Sequence, residues 1–142
     1  MKSKLRVEKM AELSKFFKIV LLINIIAAVV YGVLYLFIPE LYAGLIESPS
    51  FSLQFWRLWG FTCFLLGVFG IIGYIRNEWT TLKMLIEFVI CWLIGMDVIN
   101  IIYLIDPAFT HSATSFTSEL TDIIIIIILA VVDIYAYLKE NK

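Results

Sequence analysis

The sequence has few charged residues, few cysteines and a single histidine, and these shortages exclude several classes of protein. Charged residues make up 16% of the chain and hydrophobic residues 62%, so a soluble domain of this size could not cover its apolar surface. One histidine and two cysteines are too few for a structural zinc site or a disulfide framework. The net charge of -1 argues against a nucleic-acid partner, which requires a basic excess.

The sequence also lacks the motifs that mark common enzymes. It contains no glycine-rich phosphate loop, no nucleophile elbow and no nucleophile with a base at a useful spacing. We therefore predict no catalytic residue, no metal site and no cofactor, and we favour a protein without catalytic machinery.

What the sequence does contain is four continuous apolar runs, each close to the length of a membrane span. Residues 19–38 hold one polar amide, Asn24, and no charge. About 20 helical residues cross the ~30 Å hydrocarbon layer of a bilayer. We predict a single all-α membrane domain, residues 1–142, folded as a four-transmembrane-helix bundle with helices over residues 16–38, 55–75, 84–105 and 119–138.

The basic residues predict how the chain is threaded through the membrane. All but one of the 11 lysines and arginines lie in the N-terminal segment, between the second and third spans, or in the C-terminal tail. The two opposite loops, residues 39–54 and 106–118, contain none. Because basic loops stay on the cytoplasmic side, we expect both termini to be cytoplasmic and the protein to lie in the plasma or inner membrane.

The segment before the first span has an amphipathic pattern. Val7, Met10, Leu13 and Phe17 recur at roughly helical spacing among lysines, which is typical of a helix lying on an anionic membrane surface. The alternative is a frayed tail whose lysines only set the topology.

Charged and amide side chains inside the spans are the strongest candidates for a functional site, because they are costly there and usually face the bundle interior. By depth they form two predicted clusters. The outer cluster is Arg57, Asp97, Asn100 and Asp122, and the inner cluster is Asn24, Glu87 and Asp133.

These clusters have two possible roles. They could line a binding pocket or an ion pathway, with the carboxylates holding ions or protons and Arg57 neutralising one or both outer aspartates. They could also only join helices or reach the headgroups. Asp97 is the deepest of the charged groups, so it is the first to mutate.

Small residues form a stripe along the second span. Gly60, Gly67 and Gly70 lie on it, and Ala28 and Gly32 form a small pair on the first span. Small residues allow two helix backbones to approach closely. We expect the first two spans to pack on each other, and the alternative is that the stripe joins copies of the chain.

Part of the first half of the chain resembles a known group of proteins. The Ile-Pro-Glu-Leu-Tyr sequence at residues 38–42, the Arg-Leu-Trp-Gly sequence at 57–60, and Gly67 and Gly70 resemble the small four-helix membrane proteins called DoxX-like or BphX-like. The resemblance implies a four-helix bundle, and Arg57 and Gly60 are the positions that match the group. Some relatives are linked to quinone-dependent oxidation of sulfur compounds, but no residue here indicates a cofactor.

Together these patterns predict a small multi-pass membrane protein that binds a lipid or small amphiphile, or that serves as a subunit of a membrane assembly. Its partners would be the bilayer and either further copies of itself or a larger membrane protein. Two alternatives stay open. One is an ion- or proton-coupled transporter that acts as an oligomer and uses Asp97, Glu87 and Asp133, and the other is a membrane enzyme or redox accessory.

Overall fold

The computed structural model describes residues 12–142, which form five helices. They are α1 (Lys15–Phe37), α2 (Pro39–Leu45), α3 (Leu53–Arg76), α4 (Trp79–Ile105) and α5 (Ala113–Glu140). The four long helices are each apolar and long enough to cross a membrane. The predicted all-α four-helix bundle is confirmed, and the chain is a small multi-pass membrane protein. The predicted surface helix lies mostly outside the described residues.

The helix ends differ from the expected bounds where local side chains continue a helix beyond the lipid. The Ser112 side chain accepts a hydrogen bond from the Ser115 backbone amide, so α5 begins six residues before its apolar run. Helix α2 lies in a segment expected to be a loop, and it begins with Pro39, whose fixed φ suits the first position of a helix. Hydropathy marks only the part of a helix that lies in lipid. The first turns of α5 and the short helix α2 were therefore not predicted.

Both ends of the described chain lie at the same end of the bundle. The Ser14 backbone amide donates to the Glu140 carboxylate over 3.2 Å, and Lys83, near the start of α4, donates to Asn141 over 3.0 Å. We call this the terminal end, and we call the opposite end, which carries α2 and the connection from α4 to α5, the loop end. Which side of the membrane each end faces stays a prediction.

Helices α1 and α3 share the most extensive interface of the bundle, and glycines bring their backbones together. A Cβ atom at Gly32 would lie 3.0 Å from the Phe64 amide nitrogen, and one at Gly60 would clash with the Leu36 backbone. A Cβ at Gly67 would lie 3.7 Å from the Cβ of Ala28. The small-residue stripe is therefore filled by α1 of the same chain, which leaves it closed to a second copy.

The remaining helices are held by side-chain packing. At the terminal end, Phe17 and Trp79 pack edge to face with ring centroids 5.2 Å apart, inside a buried cluster that joins α1, α4 and α5. Helix α4 packs mainly on α5, whereas α3 and α4 touch little. Where they approach each other, the rings of Trp59 and Trp92 stack with centroids 5.0 Å apart and an interplanar angle of 15°.

Candidate functional site

A cavity of about 130 Å³ lies inside the bundle, between all four long helices. Most of its wall is apolar, formed by side chains such as Leu66, Val89, Leu93, Ile126 and Leu129. Pockets for small molecules typically combine such a wall with a few placed polar groups. The cavity is therefore the best candidate for a functional site among the described residues.

The acidic groups of the cavity, and most of its other polar groups, lie towards the loop end. Glu119 and Asp122 reach it from α5, Asn100 from α4, and Tyr31 and Tyr35 from α1. The Tyr31 hydroxyl donates to Oδ1 of Asp122 over 2.7 Å. One end of the cavity is thus acidic and able to form hydrogen bonds, while most of the remaining wall is apolar.

Aromatic rings form a second part of the wall near that end. Trp59 and Trp92 line the cavity and stack across the narrow contact between α3 and α4. Tyr31 and Tyr35 are one helical turn apart and stack on each other with centroids 6.2 Å apart. Four aromatic side chains therefore lie around the same space as the two carboxyl groups.

Beyond the acidic end lies an open groove on the loop end of the bundle. Tyr42 and Ile46 from the α2 region form one side and Thr117 and Ser118 of α5 the other, and Asp122 lines both the groove and the cavity. Burial, reinforced by the charge of Asp122, raises the pKa of the Tyr42 phenol to about 12, so this group stays neutral. Asp122 therefore marks the place where the outer groove meets the cavity.

The opposite end of the cavity is closed by a hydrogen-bonded pair. The Asn24 side-chain amide donates to Oδ1 of Asp133 over 2.6 Å and to the Val20 carbonyl over 3.1 Å. The Asp133 side chain is 1% exposed, and its Oδ2 has no hydrogen-bond partner within residues 12–142. Two members of the predicted inner cluster thus meet between α1 and α5.

Glu87, the third predicted member of the inner cluster, lies elsewhere. It accepts a hydrogen bond of 2.5 Å from the Tyr137 hydroxyl, which links α4 to α5 near the terminal end. Glu87 lies at a similar depth to Asn24 and Asp133. Its side chain, however, leaves α4 in a direction that does not reach them.

The expected pairing of Arg57 with the outer aspartates is wrong. Arg57 lies 3.8 Å from the Glu40 carboxylate, and the two side chains are 51% and 58% exposed. The reason is α2, which folds beside the start of α3 and presents Glu40 to Arg57 at the surface. Asn100 and Asp122 line the cavity, so the structure brings together only half of the predicted outer cluster.

Asp97 is buried but lies outside the cavity wall. It is 8% exposed, and its Oδ1 has no hydrogen-bond partner among the described residues. Asp97 and Asn100 were both assigned to the predicted outer cluster, but only Asn100 lines the cavity.

Some residues of the site were not predicted from the sequence, namely Glu119, Tyr31, Tyr35 and the two stacked tryptophans. A usable signal was present, because Glu119 precedes Asp122 by three residues and Tyr31 precedes Tyr35 by four, which places each pair on one helix face. Within residues 12–142, no three His, Cys, Asp or Glu side chains converge to hold a metal ion.

Comparisons with known proteins identified no relative of this chain. The chain matches no protein-family model, no curated protein and no solved structure.

Proposed function

We propose that this protein binds a small amphiphile inside the membrane, in the cavity between its four long helices. The observation that carries the proposal is the division of the cavity wall into a long, mostly apolar part and one acidic end that holds Glu119 and Asp122. An amphiphile has the same division, so its apolar body fits the wall and its polar group fits the acidic end.

The size of the cavity limits what it accepts. An apolar cavity of roughly 150 Å³ holds one benzene molecule, and this cavity measures about 130 Å³. The buried part of the ligand is therefore about as large as a single ring, and any longer portion extends towards the groove beyond Asp122.

We also propose membership of the DoxX-like group, which the helix number and the close approach at Gly60 support. The filled glycine stripe counts against the alternative in which that stripe joins copies of the chain. Binding within one chain is therefore the simpler proposal.

The test is direct binding of an apolar ring to the purified full chain in phosphatidylcholine nanodiscs. Fluorine NMR follows para-fluoroethylbenzene, and empty nanodiscs give the signal from lipid partitioning alone. Val89→Phe fills the middle of the cavity, whereas Val98→Phe adds the same ring to the same helix at a position 52% exposed towards lipid.

We expect a protein-bound fluorine signal with the unmodified chain and with Val98→Phe, and its loss with Val89→Phe. Helical circular dichroism of both variants checks that each is folded. A bound signal that survives Val89→Phe, or that never exceeds the empty-nanodisc level, would overturn the proposal.

A further inference from the structure

We propose that the ligand is an organic cation, an ammonium group carried on an apolar body, and that its charged head lies at the loop end of the cavity against Glu119 and Asp122. This rests on the proposed function and specifies its ligand. Three features of the molecule support it: the charge of the cavity wall, the aromatic rings and the access route.

The charges on the cavity wall all have one sign. Glu119 and Asp122 line it, and among the described residues no lysine, arginine or histidine does. Arg57, at the start of α3, pairs with Glu40 at the surface. An anionic head would meet two carboxylates with no lysine or arginine beside them, whereas an ammonium group would neutralise at least one of them.

The hydrogen bond from Tyr31 leaves the Asp122 carboxylate able to accept a further hydrogen bond. The Tyr31 hydroxyl donates to Oδ1 of Asp122 and so orients that carboxylate while using only one of its two oxygens. Each carboxylate oxygen can accept more than one hydrogen bond. Asp122 can therefore hold Tyr31 and an N–H group of the ligand at the same time.

The aromatic rings favour a cation over a neutral donor. Trp59, Trp92, Tyr31 and Tyr35 line the cavity beside the two carboxyl groups. The face of an aromatic ring attracts ammonium and quaternary ammonium groups, and tryptophan does so best. Rings and carboxylates around one space are complementary to an organic cation.

The access route also carries acidic residues. Asp122 is shared by the cavity and by the groove on the loop end, so a molecule in the groove meets the acidic group first. The two connections at this end, residues 46–52 and 106–112, contain Glu47, Asp106 and one histidine, His111, but no lysine or arginine. A cation in the aqueous phase is thus drawn towards the groove.

The experiment compares two probes of nearly equal shape. Para-fluorobenzylammonium and para-fluoroethylbenzene differ mainly by the charged nitrogen, and both are followed by fluorine NMR in zwitterionic nanodiscs. For each probe, the signal lost in Val89→Phe measures occupancy of the cavity and removes the contribution of lipid partitioning. Para-fluorobenzoate serves as the anionic counterpart.

We expect the unmodified chain to bind the cation at least about tenfold more tightly than the neutral ring, since a charge-assisted hydrogen bond gives about that factor. Glu119→Gln with Asp122→Asn should remove this preference, so that the cation binds no more tightly than the neutral ring. Glu47→Gln, which removes an exposed charge from the loop end, should change neither.

If the double variant does not fold, Asp122→Asn alone replaces it, because an asparagine oxygen can still accept from Tyr31. Equal binding of cation and neutral ring, or a preference that survives both variants, would overturn the cation proposal while the binding function stands. Absence of cavity-dependent binding of both the cation and the neutral ring to the unmodified chain would instead overturn the function itself.

Discussion

The side-chain nitrogen of Asn24 lies 2.6 Å from Oδ1 of Asp133, and this hydrogen bond joins the first and last transmembrane helices. Asn24 lines the cavity at the end away from Glu119 and Asp122. Because the Asp133 carboxylate is almost fully buried, the Asn24 amide is the group that compensates for its lost hydration.

Asn24→Ala should lower the free energy of unfolding by about 1–3 kcal/mol, because it leaves a buried carboxylate without its donor. Asn141→Ala is the control, since it removes an exposed hydrogen bond with Lys83 and should cost less than about 0.5 kcal/mol. Steric trapping in micelles measures both. Equal losses would show that the Asn24–Asp133 bond carries no special weight.

Gly60→Ala should separate α1 from α3. Its Cβ would clash with the Leu36 backbone, which cannot rotate away as a side chain could, so we expect a loss of about 1–3 kcal/mol as in other overpacked sites. Gly95 also lies within a span, but nothing lies within 4 Å of a Cβ placed there. Gly95→Ala should therefore not destabilise the protein, and thermal unfolding in micelles would refute the prediction if both variants behaved alike.

Arg57→Gln tests whether that arginine is a surface group. Its pairing with Glu40 is half exposed, so its removal should cost less than about 1 kcal/mol. A buried arginine that neutralised Asp97 or Asp122 would cost about 3–5 kcal/mol on removal. A loss in that higher range, measured by the same unfolding assay, would restore the predicted outer cluster.

Asp97→Asn should raise the free energy of unfolding by about 1–3 kcal/mol, because an uncompensated buried charge costs more than a neutral amide. Binding of para-fluoroethylbenzene should stay unchanged, since Asp97 does not line the cavity. Glu47→Gln is the control for loss of one acidic charge at an exposed position. Reduced stability, or altered probe binding, would contradict the placement of Asp97.

The transmembrane framework was predictable because lipid makes a strong demand on the sequence. Each span must satisfy its backbone hydrogen bonds internally and must be about 20 apolar residues long, so the length of the apolar runs was sufficient. The packing of α1 on α3 was also accessible, since only glycine allows the approach seen between Gly60 and Leu36.

The site was harder to predict because depth along a helix says nothing about direction around it. Glu87 and Asp133 lie at similar depths, yet Glu87 bonds to Tyr137 and Asp133 to Asn24. The position of Arg57 depended on α2, a short helix with no hydropathy signal. Predicting the partner of Arg57 therefore required the fold of a connection.

The hydrogen bond between the Ser14 amide and Glu140 has a consequence for engineering. Because residues 12–142 contain four spans and Ser14 lies beside Glu140, a second copy fused after the first would face the same way. A fusion of two copies could carry an altered cavity in one copy only. Ligand binding to such a fusion would show how many binding sites each copy contributes.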